Sequence, residues 1–412
     1  MKIWSFTFGC KVNQYETELL RHRLGGAHST HVAKPEEADL CLINSCSVTE
    51  FADRECRKMV RKVLRANPTA RTIVTGCYAT RAPEEVRSIS KRVEVYSNQE
   101  KNQLPSCVGF EITNQPLGIH QFAGHARAFL KVQDGCKAPC NYCIIPTVRP
   151  DLRSKPVQEV VAEVEALLAH GYQEIVLTGI RLGLYRGEEA DGGKQDLLGL
   201  LKRLVSIPQR FRIRLSSLEV TEVTDRLIEF VAENPKICRH FHIPLQSGDS
   251  GVLKDMQRWY DIEFYKDRVR ALRSKMPDCG VTADVMVGYP TETDDQFETT
   301  ARNIAAMELS GLHVFRFSAR EGTKAAKLKP LNPNVVIKRA GVLGELDEVL
   351  RERFYRKYEG TEREVLPEPA GEGWTDNYIR VDIPLSEIRT GLSHRRVFSS
   401  QFDRKEIQKV AV

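Results

Sequence analysis

The sequence contains no long hydrophobic run. None of its apolar stretches approaches the roughly 20 residues that a membrane-spanning helix needs, so we expect no membrane association. The N-terminal residues also lack the apolar core of a secretory signal peptide, which predicts a cytoplasmic protein. Repeats and low-complexity tracts are absent. These absences indicate a globular chain whose 412 residues suffice for about two to four domains.

Excess charge of either sign is small as well. The formal net charge is +6 over 412 residues. A charge of this size permits a nucleic-acid partner but does not require one. Evidence for RNA binding must therefore come from local patterns of residues rather than from composition.

Three of the 11 cysteines lie within eight residues. Cys136, Cys140 and Cys143 are separated by three and then two residues, and an aromatic residue, Tyr142, precedes the last. Thiolate is the usual protein ligand of iron–sulfur clusters, so this run can hold three irons of a [4Fe–4S] cubane. No fourth cysteine is near, which leaves one iron open to a small chelating molecule. We therefore predict a catalytic cluster at this run.

Zinc binding and disulfide formation fit the same run less well. A zinc site usually adds a fourth ligand at a moderate distance, but the nearest histidines, His120 and His125, lie upstream without a matching spacing. A disulfide framework is disfavoured because disulfides are rare in the reducing cytosol. Five cysteines belong to no pattern and are expected to be small buried apolar side chains: Cys41, Cys56, Cys107, Cys238 and Cys279.

Residues 1–116 are predicted to form an open parallel α/β domain of the flavodoxin or Rossmann type. Strand-like runs alternate with helical patterns there: strands at 2–8, 38–44 and 71–75, helices at 13–24 and 53–66. Cys10, Cys46 and Cys77 each follow a predicted strand, and carboxyl ends of parallel strands border the ligand crevice. We therefore expect these thiols to converge on a second cluster with one open iron. The alternative is three unrelated core thiols.

Residues 122–355 continue the alternation in larger units. Six strand candidates (129–133, 174–178, 211–216, 240–244, 281–287 and 313–318) are separated by helical segments that include 157–169, 224–234, 264–274 and 294–309. This pattern predicts a partial (βα)6 barrel of the TIM type, whose active site lies at the carboxyl ends of its strands. The run from Cys136 follows the first of these strands.

Residues 356–412 predict a small antiparallel β-barrel. Short runs at 363–366, 378–383, 395–402 and 407–412 are bounded by Gly, Pro, Asn and Asp. Acidic and basic residues nearly balance in this part, so its composition shows no strongly basic RNA-binding surface.

Motifs along nearly the whole chain resemble the radical S-adenosylmethionine (SAM) methylthiotransferases. The opening, with its Lys-Val-Asn-Gln form, is most similar to the branch that acts on threonylcarbamoyladenosine in tRNA, and the last module resembles the RNA-associated TRAM domain. The motifs are Thr7-Phe-Gly-Cys-Lys-Val-Asn-Gln-Tyr-Glu-Thr17, Ile43-Asn-Ser-Cys46, Thr75-Gly-Cys77, the Cys136 run, Leu177-Thr-Gly179, His242-Ile-Pro-Leu-Gln-Ser-Gly248, Asp284-Val-Met-Val-Gly-Tyr-Pro290, Gly322-Thr323 and Trp374-Thr-Asp-Asn-Tyr378.

The resemblance implies two [4Fe–4S] clusters and SAM as cofactors. The cluster on Cys136, Cys140 and Cys143 is implied to cleave SAM to a 5′-deoxyadenosyl radical. The cluster on Cys10, Cys46 and Cys77 is implied to hold or supply sulfur, and a second SAM donates the methyl group. The implied product carries methylthio at C2 of N6-threonylcarbamoyladenosine, at position 37 of tRNA. The C2–H bond is an unactivated aromatic C–H bond, so its replacement needs a radical route.

Implied partners are tRNA, an electron donor such as flavodoxin or ferredoxin, and a sulfur source. Related branches modify isopentenyladenosine in tRNA or an aspartate of a ribosomal protein, and both remain alternatives for the substrate. Two other classes of protein also remain open. One is a non-catalytic iron–sulfur electron-transfer or sensor protein, which normally uses four protein ligands per cluster. The other is an RNA-binding protein with a structural metal.

Candidate SAM contacts lie beside the predicted cluster and at strand ends. Each has an alternative structural role, as a packing residue or as a turn or cap residue: Tyr142, Thr178, Gly179, Ser216 and Glu219. His242 and Gln246 follow the fourth strand and are candidates for facing the substrate, although a lone histidine is as often structural. The threonylcarbamoyl carboxylate should need a cation or several hydrogen-bond donors. Four arginines near strand ends qualify: Arg149, Arg153, Arg181 and Arg316.

Residues 53–66 carry a candidate tRNA-binding surface. Basic residues recur at helical spacing and form one stripe, the basic stripe: Arg54, Arg57, Lys58, Arg61, Lys62 and Arg65. Cys56, Val60 and Val63 fall on the opposite side, as an amphipathic helix requires. The stripe is predicted to contact phosphates beside the second cluster. A merely solvated basic face is the alternative.

Overall fold

A computed structural model describes residues 1–24, 30–109, 118–122, 124–384, 386 and 391–397. The fold class is as predicted: an open parallel α/β domain, a curled half-barrel and a small antiparallel sheet follow one another along the chain. The predicted domain boundary at 116 lies outside the described residues. None of the described helices combines the length and the apolar composition of a membrane span.

The N-terminal domain is a parallel sheet with helices around it. Its strands are β1 (Lys2–Thr7), β2 (Thr30–His31), β3 (Leu40–Ser45), β4 (Arg71–Gly76) and β5 (Val93–Val95), paired in the order β2-β1-β3-β4-β5. Its helices are α1 (Lys11–Leu24), α2 (Glu50–Ala66), α3 (Cys77–Arg81), α4 (Pro83–Arg87) and α5 (Leu104–Cys107). Strand β3 is buried along its whole length, as a central parallel strand is.

Helix α2 shows how sequence sets these elements. Thr49 is its N-cap, and the hydroxyl accepts a hydrogen bond from the Ala52 amide at 3.2 Å. Cys56, Val60 and Val63 are fully buried against the sheet. The amphipathic pattern therefore predicts the correct face, and the helix begins three residues earlier than expected, at its cap.

The central domain is built on six parallel strands that curl into a half-barrel. The strands of this domain are β6 (Arg127–Asp134), β7 (Arg153–Ser154), β8 (Glu174–Gly179), β9 (Arg186–Glu188), β10 (Lys194–Asp196), β11 (Arg212–Leu215), β12 (His240–His242), β13 (Gly280–Val287) and β14 (Gly311–Arg316). The parallel series is β6, β8, β11, β12, β13 and β14. A parallel bridge between Ser217 and His242 joins its two halves.

Helices cover the outside of this half-barrel, and most of its core residues lie between the two layers. They are α6 (Ile145–Val148), α7 (Val157–Ala169), α8 (Leu197–Val205), α9 (Asp225–Glu233), α10 (Ser250–Asp255), α11 (Ile262–Lys275), α12 (Asp294–Ala306) and α13 (Pro333–Arg356). The 24-residue helix α13 was not among the predicted elements. It starts at a proline, which suits the first helical position, and the Asn332 side chain caps it.

The C-terminal module is a four-stranded antiparallel sheet. Its strands are β15 (Glu362–Glu368), β16 (Glu372–Thr375), β17 (Arg380–Asp382) and β18 (Ser393–Arg396), in the order β17-β16-β15-β18. Strand β16 was missed because its sequence, EGWT, lies against a turn and is only four residues long. The predicted strand at 407–412, and residues 398–402 of the run before it, lie outside the described residues. Closure into a barrel stays a prediction.

Buried arginines fix this module to the base of the half-barrel. Glu174 opens β8 and is fully buried, with its carboxylate 2.5 Å from Arg212 Nε and 2.7 Å from Arg214 Nε. The two guanidinium groups also donate to backbone carbonyls of the module: Arg212 to Trp374 at 2.6 Å, and Arg214 to Thr375 at 2.8 Å. These charge-assisted hydrogen bonds hold the end of β16 under the barrel.

Candidate active site between the first two domains

The three N-terminal cysteines lie at the carboxyl ends of neighbouring strands, as predicted. Cys10 lies between β1 and α1, Cys46 directly follows β3, and Cys77 directly follows β4. These strands are adjacent in the sheet, so the three thiols meet at one edge. Cys46 and Cys77 are buried, and Cys10 is exposed.

Two glycines permit this convergence. Gly9 has φ +92°, and a Cβ there would lie 2.8 Å from Cys46 Sγ. Gly76 has φ +99°, and a Cβ there would lie 2.3 Å from the Ser45 carbonyl oxygen. Both residues directly precede a cysteine, so the Gly-Cys pairs are a structural requirement of the triad, and only glycine combines this backbone with this closeness.

The N-terminal triad suits a metal cluster electrostatically. Burial, followed by the charges of Cys77 and Cys10, raises the pKa of the Cys46 thiol to about 12. Three mutually repelling thiolates are therefore unfavourable without a cation. Ligation by iron removes this cost and releases the protons, as in other thiolate metal sites.

The second triad occupies the loop after β6. Gly135 turns the chain at φ +80°, where a Cβ would lie 2.0 Å from the Asp151 carbonyl oxygen. The Cys136 amide donates to the Arg149 carbonyl at 3.1 Å, and the Ala138 amide lies 3.4 Å from Cys136 Sγ. Arg258 Nη1 donates to Cys140 Sγ at 3.3 Å. Donors to sulfur favour the thiolate form that a cluster needs.

The two triads approach each other through one layer of side chains. Cys77 packs with Ile144 and Val148 in a small apolar cluster, and Ile144 directly follows Cys143 in the chain. Asn98 Nδ2 lies 3.7 Å from Cys77 Sγ and donates to the Val148 carbonyl at 3.1 Å. The two sites are therefore parts of one region.

Arg149 joins the two domains beside both triads. Its side chain is only 2% exposed, and both terminal nitrogens donate to the Glu16 carboxylate at 2.8 Å. Nη1 also binds Asp134 at 2.9 Å, and Nη2 binds Asn13 Oδ1 at 3.0 Å. With its terminal nitrogens engaged, Arg149 holds the interface and is not free to bind a substrate carboxylate.

A cavity of about 500 Å³ opens between the domains. Two members of the N-terminal triad, Cys10 and Cys46, line it together with residues of all three domains: Gly9, Lys11, Thr49, Arg127, Arg214, Ser216, Ser217, His240, His242, Thr282, Asp284, His313, Phe315 and Tyr378. The volume lies within the range of pockets for small ligands, about 300–1,000 Å³, and suits a modified nucleoside.

The C-terminal module supplies part of the cavity floor. Tyr378, which follows β16 and has φ +70°, stacks on His240 with ring centroids 4.2 Å apart. His240 and Arg127 are the first residues of β12 and β6, so this end of the cavity is the base of the half-barrel. Trp374 stacks on the other side of Tyr378 at 4.4 Å.

Two family models match the chain. Residues 2–97 match the model described as uncharacterized protein family UPF0004. Residues 130–304 match the radical SAM superfamily. The first range contains the N-terminal triad, and the second contains Cys136, Cys140 and Cys143.

Relatives of known activity match almost the whole chain. The threonylcarbamoyladenosine tRNA methylthiotransferase MtaB of Bacillus subtilis (strain 168) is 36% identical over 411 residues, which cover 93% of this chain and 91% of the relative. The protein of the same name from Chlamydia pneumoniae is 37% identical, with coverages of 92% and 90%. The tRNA-2-methylthio-N(6)-dimethylallyladenosine synthase of Nitrosospira multiformis is 32% identical, with coverages of 95% and 89%. The chain belongs to the radical SAM methylthiotransferase family.

Solved structures of other radical SAM enzymes share the fold of this methylthiotransferase. The methyltransferase TsrM from Kitasatospora setae, with tryptophan and a SAM analogue bound, has a TM-score of 0.55 at 13% identity and covers 76% of this chain and 72% of its own. The cobalamin-dependent enzyme OxsB has a TM-score of 0.55 at 10% identity, with coverages of 85% and 56%. At these identities the likeness concerns the fold.

SAM and [4Fe–4S] clusters are the cofactors of a methylthiotransferase of this family. The donor sets fit them, since each triad supplies three thiols and no fourth cysteine. Ser216 also fits a polar ligand: its hydroxyl is buried, lines the cavity and has no hydrogen-bond partner among the described residues. A buried hydroxyl without a partner is costly, so a ligand that pairs with it is favoured.

The other candidate SAM residues have structural partners in this methylthiotransferase. The Tyr142 ring packs in an apolar cluster with Val252, Met256 and Tyr289. The Glu219 carboxylate pairs with Arg258 and caps a short helical turn. Thr178 is buried, and a Cβ on Gly179 would lie 2.9 Å from Gln133 Cβ. Their contacts with SAM stay predictions.

The two substrate candidates after the fourth strand, His242 and Gln246, differ in their position relative to the cavity. His242 lines the cavity, where Nδ1 lies 2.9 Å from Thr282 Oγ1 and Nε2 lies 3.1 Å from Asp284 Oδ1. Gln246 has a left-handed φ of +66°, pairs with β13 and is not among the cavity residues. Asp284 also accepts from His313 Nδ1 at 3.2 Å, so a His-Asp-His chain forms one cavity wall.

The predicted basic stripe lies on helix α2, and this α2 stripe is only partly free. Arg57 is half-buried, and its Nη1 donates to Tyr78 Oη at 2.8 Å. Lys58 pairs with Glu55 at 2.7 Å. Arg54 Nε lies 3.7 Å from the same Glu55 carboxylate, and both Arg54 and Lys58 are exposed. Arg61, Lys62 and Arg65 are exposed as well. Ala52 in the first turn of α2 lines the cavity, so the helix starts at the cavity and the stripe extends from it.

One prediction about the cysteines is wrong. Cys107 is exposed, because it ends the short surface helix α5 and does not point into a core. The other four cysteines without a pattern are buried, as expected: Cys41, Cys56, Cys238 and Cys279. Sequence reasoning also missed Arg258, Asn98 and Tyr378. Only Tyr378 had a signal, the motif that begins at Trp374.

Proposed function

We propose that this chain adds a methylthio group to C2 of N6-threonylcarbamoyladenosine at position 37 of tRNA. The observation that supports this most is the pairing of two incomplete cysteine triads across a single apolar layer, next to a cavity of nucleoside size. An electron carrier does not need two clusters that each lack a ligand. An RNA-binding protein with a structural metal does not need them either.

The cluster ligands follow from the two triads. Cys136, Cys140 and Cys143 hold the cluster that binds SAM, and Cys10, Cys46 and Cys77 hold the second cluster. When bound, these cofactors supply a carbon radical, sulfur and a methyl group, which is chemistry that side chains do not provide. Ser216 and Glu219, with Tyr142, Thr178 and Gly179, are the proposed SAM contacts.

The chain itself contributes position and enclosure. Arg258 donates to Cys140 and pairs with Glu219, so it holds the cluster loop against the strand-end region. Arg149 and Glu16 hold the two domains together beside both triads. Fixed spacing of the reacting groups and exclusion of water are the main protein contributions to reactions of this kind.

The target base enters the cavity between the domains. Cys10 and Cys46 line it from one side, and Ser216 and Ser217 line it from the half-barrel. An adenine inside would have to leave the anticodon-loop stack, as bases do in other enzymes that modify them. The cavity wall combines apolar side chains, such as Val176 and Leu215, with the hydrogen-bonding groups of His242, Asp284 and His313. These polar groups can pair with a threonylcarbamoyl group and not with an apolar isopentenyl group.

Binding of tRNA involves the α2 stripe and the C-terminal module. Arg61, Lys62 and Arg65 contact phosphates most readily. Arg54 and Lys58 share the Glu55 carboxylate and Arg57 donates to Tyr78, so these three members are restrained by their partners. Residues 356–412 act as a TRAM domain, which follows the N-terminal domain (1–116) and the radical SAM domain (122–355) in the sequence. The partners are an electron donor such as flavodoxin or ferredoxin and a sulfur source, in the cytoplasm.

Nucleoside mass spectrometry tests this function. Bulk tRNA from a host without the gene, and from the same host with the gene restored, is digested and compared. Methylthio on threonylcarbamoyladenosine should appear only with the intact protein and should be absent with Cys136→Ala. Methylthio on isopentenyladenosine would assign the chain to the sister branch. No methylthio nucleoside in either sample would contradict tRNA methylthiolation.

A further inference from the structure

The cavity contains one lysine whose charge is not used by the protein. Among the described residues, Lys11 forms no hydrogen bond or ion pair through its side chain, and it lines the cavity. The two cavity arginines are paired: Arg127 Nε binds Glu368 at 2.6 Å, and Arg214 Nε binds Glu174 at 2.7 Å. Asp284 is already engaged by two histidines. Lys11 is exposed to solvent and lines the cavity, so its ammonium is available to an incoming anion.

The location of Lys11 strengthens this charge. It is the first residue of α1, a 14-residue helix with no acidic residue in its first turn. The amino end of a helix carries a partial positive charge and free amide groups, so an anion here meets both the ammonium and the helix end. Burial, followed by the charges of Arg214 and His242 and then that of Lys11, lowers the pKa of His240 on the cavity floor well below its usual range.

The four arginines that the sequence suggested for a carboxylate are less suitable. Arg149 is committed to Glu16, and Arg181 pairs with Glu222 at 2.5 Å. Arg153 is exposed and pairs with Asp151 at 3.0 Å. Arg316 follows the cavity residue Phe315 on β14, and strand alternation places it on the opposite face.

We propose that Lys11 binds the carboxylate of the threonylcarbamoyl group and so determines which modified adenosine the cavity accepts. This inference rests on the proposed function, because it assigns the substrate determinant of the same site. An isopentenyl group has no charge to pair with the ammonium and would leave it desolvated without a partner, which is unfavourable. Lys11 therefore strengthens binding of the charged substrate and weakens binding of the neutral one.

Purine geometry agrees with this assignment. C2 and C6 of adenine both adjoin N1, so the N6 substituent and the reacting carbon lie on the same edge of the base. Lys11 directly follows Cys10, a ligand of the proposed sulfur-supplying cluster. A carboxylate on Lys11 would therefore orient that edge of the base toward the sulfur source. Contacts with a remote group that fix the reacting edge are an efficient use of binding energy.

A binding cycle tests the inference separately from catalysis. Two anticodon stem-loop RNAs are prepared, one with threonylcarbamoyladenosine and one with the methyl ester of its threonine carboxylate, which is uncharged. Their affinities are measured anaerobically for the full-length, cluster-loaded wild type and for Lys11→Met and Lys11→Arg. The wild type should prefer the free carboxylate by about tenfold to a hundredfold, the usual effect of a charge-assisted contact.

The variants should then separate charge from structure. Lys11→Met should bind both RNAs equally, and Lys11→Arg should keep most of the preference. Lys34→Met, which removes an exposed lysine of the same domain outside the cavity, should leave the preference unchanged. Iron content and visible absorption show that each variant keeps both clusters. If Lys11→Met loses its clusters, the affinities of the wild type and of Lys11→Arg for the acid and the ester still test whether the protein binds the carboxylate.

Two results would overturn the inference. One is a wild type that binds acid and ester equally, and the other is a Lys11→Met variant that retains the full preference. Neither result depends on whether threonylcarbamoyladenosine is methylthiolated. A wild type that prefers the free carboxylate but does not methylthiolate that RNA with SAM and a reductant would refute the proposed function and leave the carboxylate contact standing.

Discussion

Arg149 and Glu16 form a two-bond fork across the interface of the first two domains, with Nη1 to Oε1 and Nη2 to Oε2 both at 2.8 Å. The residues are 133 positions apart in the sequence. Lys101 and Lys131 also donate to the Glu16 carboxylate. Because three cations bind this one buried carboxylate, Glu16 is the anionic centre that holds the two domains, and with them the two cysteine triads, in fixed relative positions.

Glu16→Gln should destabilise the folded chain by about 3–5 kcal/mol, because it leaves buried cations without their counter-charge. Although burial opposes ionisation, Arg149, Lys101 and Lys131 hold the pKa of Glu16 well below its usual range. Its contribution is therefore present above the unfolded pKa near 4.5 and is lost as the pH falls toward the lower folded value. Urea unfolding at pH 7, 5 and 4 measures both effects. The exposed Glu36→Gln is the control, and an equal unfolding free energy for both variants would contradict the prediction.

Gly9→Ala should remove the second cluster and spare the first. The added Cβ would lie 2.8 Å from Cys46 Sγ, where nothing can yield without moving a ligand. Iron analysis after anaerobic reconstitution should give about four irons per chain in place of about eight. Gly109 has a similar φ of +91°, and no atom of the described residues lies within 4 Å of the added Cβ, so Gly109→Ala imposes the backbone strain without this clash. Full iron content in Gly9→Ala would show that the close approach of Gly9 to Cys46 is not required for the second cluster.

The two triads should fail in different ways when their ligands are removed. Alanine at Cys136, Cys140 or Cys143 should abolish SAM cleavage, because the cluster that binds SAM is lost. Alanine at Cys10, Cys46 or Cys77 should leave cleavage to 5′-deoxyadenosine but stop sulfur insertion. Chromatography of 5′-deoxyadenosine and mass spectrometry of the RNA measure these outcomes. Cys41→Ala, a buried cysteine outside both triads, is the control. Identical phenotypes for the two sets would argue against separate roles.

Arg258→Met should lower the reduction potential of the cluster on Cys136, Cys140 and Cys143. Arg258 donates to Cys140 Sγ at 3.3 Å, and a nearby positive charge favours the reduced, more negative cluster. An anaerobic redox titration followed by electron paramagnetic resonance gives the midpoint, which should become more negative. The potential of Arg270→Met, an exposed arginine on α11, should be unchanged. A midpoint shift toward positive values would refute this role.

The exposed part of the α2 stripe should control the salt dependence of tRNA binding. Arg61→Glu, Lys62→Glu and Arg65→Glu should each weaken binding and reduce the slope of log affinity against log salt by about 0.7–0.9 per lost phosphate contact. Lys58→Glu should have a smaller effect, because Lys58 is already paired with Glu55. Filter binding at several salt concentrations provides the slopes. A slope that all variants share would leave the stripe as a solvated face.

The sequence predicted those parts of the site that depend on local pattern. Cys10, Cys46 and Cys77 were expected to meet because each follows a strand, and parallel strands bring their carboxyl ends to one edge. Arg149 was one of four candidates for binding the substrate carboxylate. Its partner in the structure, Glu16, lies 133 positions away, and no local signal connects them. Arg258 was missed for the same reason, as it approaches Cys140 only through tertiary packing. Pairings over such distances are set by the fold and are not written in any one segment.

The stacking of Tyr378 on His240 ties the module that resembles an RNA-binding domain to the chamber where the base would react. The floor of that chamber is not made by the half-barrel alone, so a chain truncated after α13 would have a hole under its substrate. All three domains contribute to one enclosure. The C-terminal module is therefore part of the cavity wall and not only a separate domain for binding tRNA. Swapping tails between family members should succeed only when the tyrosine and its ring partner are exchanged together.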